Sequence, residues 1–91
     1  MNNDIEARQA IERVKWGVLL SGRTGREVAV RKSEDPDDSF SYVYVDNRLL
    51  SLSWPTEQNH DILFYGGENS EAVSNVVASI QDAIDQELYA P

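Results

Sequence analysis

The stretch that most limits what this chain can become runs from Phe40 to Trp54. It reads Phe-Ser-Tyr-Val-Tyr-Val, then Asp46-Asn47, then Arg-Leu-Leu-Ser-Leu-Ser-Trp. Strand-forming residues flank an Asp-Asn pair, and both Asp and Asn tolerate positive φ. The pattern predicts two strands joined by a two-residue type I′ turn. Such a turn sets Val45 against Arg48, Tyr44 against Leu49, Val43 against Leu50 and Tyr42 against Ser51. Because side chains alternate across a strand, the hairpin has two unlike faces. Val43, Val45, Leu50, Leu52 and Trp54 make the drier one and the better core. Phe40, Tyr42, Tyr44, Leu49, Ser51 and Ser53 mix rings with serines, which suits a partly wet surface.

The rest of the chain is read around that hairpin. Residues 4–15 place Ala7, Ala10, Ile11 and Val14 at helical spacing, with Asn3 or Asp4 as the cap. Trp16 to Leu20 and Glu27 to Lys32 read as strands on either side of a loop bounded by Gly22 and Gly25. Ser33 to Ser39 holds Pro36 and four carboxylates (Glu34, Asp35, Asp37 and Asp38) and reads as a loop. Ile62 to Tyr65 reads as a short fifth strand closed by Gly66-Gly67. Ser70 and Glu71 then open a helix with the apolar stripe Val73, Val76, Val77, Ile80, Ala83, Ile84 and Leu88.

The order is α-β-β-β-β-β-α. The expected fold is therefore α+β, one domain over residues 1–91. It is an antiparallel meander of four to five strands, with an N-terminal and a C-terminal helix packed on one face through Ile11, Val14, Val76, Ile80 and Ile84. Phe40, Tyr42 and Tyr44 then face outward.

Charge narrows the choice of partner. The formal net charge is −8. All eight Lys and Arg fall within residues 1–48 beside nine acidic residues, whereas residues 49–91 carry seven acidic residues and no Lys or Arg. Such a chain repels a phosphate backbone, so direct nucleic-acid binding is disfavoured even with three rings on one strand and Arg31 nearby. A one-signed half steers a basic protein partner instead, and equally keeps a small domain soluble. Asp82, Asp85 and Glu87 crowd the end of the last helix, where carboxylates oppose the helix dipole. Placement against local stability makes them candidates for partner contact. The acidic loop (Glu34, Asp35, Asp37, Asp38) is a second candidate, and the ring row (Phe40, Tyr42, Tyr44) an apolar anchor between them.

Catalytic and metal chemistry find little support. There is no cysteine, and His60, beside Asp61, is the single histidine. Neither a nucleophile motif nor a paired-histidine metal motif is present, so no enzyme, cofactor or metal is expected. The acidic loop lacks the ligand spacing and central glycine of a calcium loop. Gly66-Gly67 before a helix is no anion site, since Glu68 follows it. No apolar run reaches the roughly 20 residues that span a bilayer, and the N-terminus lacks a signal-peptide pattern, so a cytoplasmic location is expected.

Residues 1–22, from Met1-Asn-Asn-Asp-Ile through Lys15-Trp-Gly-Val-Leu-Leu-Ser-Gly22, resemble the start of small acidic phage anti-CRISPR proteins that inhibit Cas effectors. The resemblance implies a short helix, a strand ending at Leu20-Ser21-Gly22, and then a sheet and helices. Its implied activity is to block a basic nucleic-acid-handling complex, in the manner of a DNA mimic. The chain lacks that family's acidic segment between C-terminal helices, so the family's binding residues are not carried over. A small acidic chain ending in strand-Gly-Gly-helix is also similar to bacterial immunity proteins, which implies neutralising a nuclease toxin. An expectation of a different class is a homodimer or adaptor joined through the outer sheet face.

Overall fold

The computed structural model describes residues 2–38, 40–54, 62–63 and 65–89. Helix α1 spans Asn2–Thr24. Three strands follow, β1 (Val28–Lys32), β2 (Ser41–Val45) and β3 (Arg48–Trp54), and helix α2 spans Glu71–Ile84. The strands form an antiparallel sheet in the order β1-β2-β3. The fold is α+β with an N-terminal and a C-terminal helix, but with three strands among the described residues rather than four or five.

The lost strands are both helical. Trp16 to Leu20 continues α1 without a break, and Ile62, Leu63, Tyr65 and Gly66 have helical backbone. A short apolar run looks the same to periodicity whether it will be a buried strand or one buried side of a helix. Residues 16–20 contain no residue that stops a helix, and the first effective stop is Gly25, at φ 71°. There the Gly25 N–H donates to the Ser21 carbonyl (3.0 Å), a left-handed helix ending that glycine adopts without strain. The strand ending at Leu20-Ser21-Gly22 implied by the anti-CRISPR resemblance is therefore absent; these residues lie in the last turns of α1. At the other end α1 already runs at Asn2, ahead of the expected cap.

Lengthening α1 also turns it over. Glu12, Trp16 and Leu20, at i, i+4 and i+8, face the core, while Ile11, Val14 and Val18 are 55%, 68% and 71% exposed. The packing expected through Ile11 and Val14 does not occur. The apolar stripe of a helix of residues 4–15 alone has only Ala7, Ala10, Ile11 and Val14 to bury. Once Trp16 and Leu20 join it, they bury far more apolar surface and decide the orientation.

Gly17 lets this happen. A Cβ there would stand 3.2 Å from the Val28 carbonyl oxygen, so its absence brings α1 close against β1. Ser21 Oγ accepts from the Val28 N–H (2.9 Å) and lies 3.1 Å from the Val28 carbonyl. The helix thereby occupies part of the edge of β1.

The central hairpin forms as its residues demand. Asp46 and Asn47 both have positive φ (50° and 64°), and Val45 pairs with Arg48 and Tyr44 with Leu49. Past Tyr44 the register slips: Tyr42 stands opposite Ser53 rather than Ser51, and Ser41 opposite Trp54. Two steps along β2 match four along β3, an irregularity that keeps the parity of the faces because the slip is even. Val43, Val45 and Leu50 are buried as expected, together with Val28 and Val30 of β1. The side chains of residues 51–54, among them Leu52 and Trp54, lie outside the described ones.

Trp16 and Leu20 of α1 and Val73, Ile80 and Ile84 of α2 join those valines and Leu50 in one cluster, with Leu63. Both helices therefore share one side of the sheet. Ser70 caps α2 as read, its Oγ accepting from the Val73 N–H at 3.2 Å. After Ile84 the helix widens into a π-helical turn, Asp85–Tyr89. No helix of the described residues is long and apolar enough to cross a membrane.

Trp16 and Val18 separate the two readings of this segment, since a strand would put them on one face and the helix puts them on opposite faces. Trp16→Ala is expected to cost about 3–5 kcal/mol, and Val18→Ala to stay within about 0.5 kcal/mol of the parent. Urea unfolding of both variants measures this directly.

Candidate functional site

The side of the sheet away from the helices carries the ring row. Phe40 is 47% exposed, Tyr42 and Tyr44 are half-buried, and Leu49 is exposed beside Tyr44. Alternation along β2 puts Tyr42 and Tyr44 out because Ser41, Val43 and Val45 point in. Residues 33–38 bend over one end of this face. Together they enclose a groove of about 450 Å³, with Arg31, Lys32, Glu34, Asp35 and Asp38 on its walls and Tyr42, Tyr44 and Leu49 lining it.

The loop is ordered by its own carboxylates. Asp35 Oδ1 accepts from the Asp37 N–H (2.9 Å), Asp38 Oδ1 from the Phe40 N–H (2.9 Å), and the Asp38 N–H donates to the Asp35 carbonyl (3.0 Å). Ser33 N–H to the Phe40 carbonyl (3.2 Å) closes its base. These are Asx turns, the use of Asp that makes it a turn residue. The four carboxylates read as one acidic finger thus divide in function. Asp35 and Asp38 hold the loop together through their carboxylates, while Glu34 and Asp37, exposed like Asp35, accept neither of these bonds.

Asp38 also joins the loop to the rings. The Tyr42 hydroxyl donates to Asp38 Oδ2 at 2.5 Å. This bond, then the Phe40 amide, hold the Asp38 carboxyl below its ordinary value of 3.8. The same bond pushes the Tyr42 hydroxyl above its ordinary 10.0, because losing the proton would break it next to a negative charge.

On the opposite wall the Arg31 guanidinium lies 4.8 Å from the Tyr44 ring centroid, a cation–π distance, and donates to Asn47 Oδ1 at 3.2 Å. The groove is therefore amphoteric: its acidic edge is the loop, and its other wall is basic through Arg31 and Lys32. Sequence pattern placed the rings outside with Arg31 near them, but did not set Arg31 and Lys32 and the acidic loop around one groove. The signal was available, since Arg31 alternates with the buried Val28 and Val30 and so must share the outer face with Tyr42, its register partner.

The structure brings Glu34, Asp35, Asp37, Asp38, Phe40, Tyr42 and Tyr44 into one patch. It leaves Asp82, Asp85 and Glu87 elsewhere. All three are exposed at the end of α2, which packs on the other side of the sheet. Asp85 accepts from Gln81 Nε2 (3.1 Å), and its own N–H reaches the carbonyls of Gln81 and Asp82. His60, Asp61 and Glu57 fall outside the described residues. Among the described residues no group of three or more His, Cys, Asp or Glu side chains is placed to hold a metal ion. No protein-family model, curated protein or solved structure matches the chain.

The Tyr42–Asp38 bond has a definite pH signature. A carboxyl held low in the folded chain contributes fully above its ordinary value of 3.8 and fades as pH falls below it. A phenol held high contributes fully below 10.0 and fades as pH climbs through its raised value. Tyr42→Phe is expected to move the Asp38 titration up toward the ordinary value and to remove the alkaline step, both readable by carboxyl and ring NMR titration. An unchanged Asp38 midpoint would show that the hydroxyl does not govern it.

Proposed function

We propose that the chain is a non-enzymatic binding protein that engages and blocks a basic protein surface. The partner is a nucleic-acid-handling protein, either a CRISPR effector or a nuclease toxin. The observation that carries this reading is the meeting, in one groove on the outer side of the sheet, of an exposed acidic loop edge with the rings of Tyr42 and Tyr44, with Phe40 exposed nearby. Rings supply apolar contact at low entropic cost, and Glu34 and Asp37 attract cationic side chains at the rim. The carboxylates of α2 add long-range steering from the far side of the sheet without joining the contact.

A second reading, a homo-oligomer, is favoured by α1. Ala7, Ile11, Val14 and Val18 are exposed at the four-three-four spacing of a helix–helix seam, with Val14 and Val18 along the open cleft between α1 and β1. The surface for self-association is then this stripe and not the outer sheet face.

Salt distinguishes the two by sign. Binding to a basic partner weakens as ionic strength rises, whereas copies of a chain with net charge −8 repel each other less and associate more strongly. Against a panel of basic nucleases and Cas effectors, affinity is expected to fall between about 50 and 500 mM salt. Glu34→Lys and Asp37→Lys should each weaken binding about two- to fivefold without unfolding the loop. Salt-independent affinity would remove the electrostatic reading. Sedimentation at both salts tests the alternative, and Val14→Glu should then yield a monomer.

A further inference from the structure

A buried carboxylate on the helix side of the sheet is not explained by the fold. Among the described residues Glu12 is the buried charged side chain, 2% exposed. Its Oε1 is 3.8 Å from Lys15 Nζ, whose side chain is 60% exposed and keeps much of its water. Its Oε2 is buried and meets no hydrogen-bond donor among the described residues. A carboxylate oxygen withdrawn from water without a donor is costly, and such atoms mark places where a partner is missing. Glu12 lines a cavity of about 300 Å³ between α1 and the turn before α2, together with Lys15, Leu63, Gly67 and Glu68.

We propose that this cavity is a socket for an alkylammonium or alkylguanidinium group, its cationic head pairing with the Glu12 carboxylate. The buried carboxylate selects the sign: Lys15 and Arg23, whose guanidinium donates to the Glu68 carbonyl at 3.3 Å, stay at the exposed rim, so the unpartnered Glu12 oxygen inside is met by a cation and not by an anion. The apolar wall selects the shape, because buried Leu63 offers its surface to a methylene stem. A bare divalent ion is a poorer fit, since no cluster of three or more ligating side chains exists among the described residues. The volume sits at the low end of the about 300–1,000 Å³ range of small-ligand sites, enough for one short chain. Gly67 and Glu68 are exposed and give the socket its mouth. The sheet separates it from the groove of Tyr42 and Asp38, so either site stands if the other fails.

The test is an NMR titration of the ¹⁵N-labelled full chain with n-butylammonium and n-propylguanidinium chlorides, with sodium butyrate at equal ionic strength as the control. Saturable shifts at Glu12, Lys15, Leu63, Gly67 and Glu68 with the cations alone are the expected result. Glu12→Gln, nearly the same shape, should weaken binding about tenfold or more. Lys15→Met removes the competing ammonium and should tighten it. 1,4-Diaminobutane binding more tightly than butylammonium assigns the socket to free polyamines. The reverse order assigns it to a basic side chain of a protein. No saturable shift, shifts confined to residues 33–38, or affinity indifferent to Glu12→Gln overturns the proposal. If Glu12→Gln does not fold, an affinity unchanged by Lys15→Met overturns it equally.

Discussion

Everything on the helix side of the molecule depends on how closely α1 approaches β1. The missing Cβ of Gly17 removes the one obstacle, and Ser21 Oγ meets both polar groups of Val28 at the strand edge. At that distance Trp16 and Leu20 reach the valines of β1 and β2, and the large indole closes the core that α2 completes from its own side. A bulkier residue at 17 would lift the helix and open a gap beneath it. Packing density leaves little tolerance for such a gap.

The same approach determines what the molecule shows to its surroundings. Both described helices pack on one side of the three-stranded sheet, and on the other side Tyr42 and Tyr44 stay half-exposed beside the ordered acidic loop, with Phe40 exposed. Turning α1 so that Trp16 points inward sends Ile11, Val14 and Val18 outward, because they lie about half a turn away on the helix. It also drags Glu12, one turn before Trp16, into the interior. The exposed stripe and the buried carboxylate are two results of a single rotation.

What could be read in advance was whatever depends on near neighbours in the chain. The Asp46-Asn47 turn, the buried Val28/Val30 and Val43/Val45 pairs, the outward rings and the Ser70 cap all follow from alternation or from one residue's own conformational preferences. The errors came where that local logic is silent. Trp16-Gly-Val-Leu-Leu has the composition of a strand, and periodicity over five residues does not separate the two states. The slip between Tyr42 and Ser53 arises in the register itself, which short-range patterning fixes only next to the turn. The acidic loop was legible as a loop. Its division into Asp35 and Asp38, which hold it, and Glu34 and Asp37, which face water, is a matter of where the backbone amides point.

By itself, then, the chain of residues determined a turn, a hairpin with one dry and one ring-bearing face, a capped C-terminal helix, and an uneven spread of negative charge. Each of these is settled within a few residues by sterics, alternation or formal charge. Only the tertiary structure decided which side of α1 is buried, and with it the place of Glu12, the basic wall opposite the acidic loop, and the separation of the loop from the carboxylates of α2. Those outcomes turn on competition for a shared core, where the largest side chain able to approach the sheet prevails. No stretch of sequence contains that contest until the elements meet.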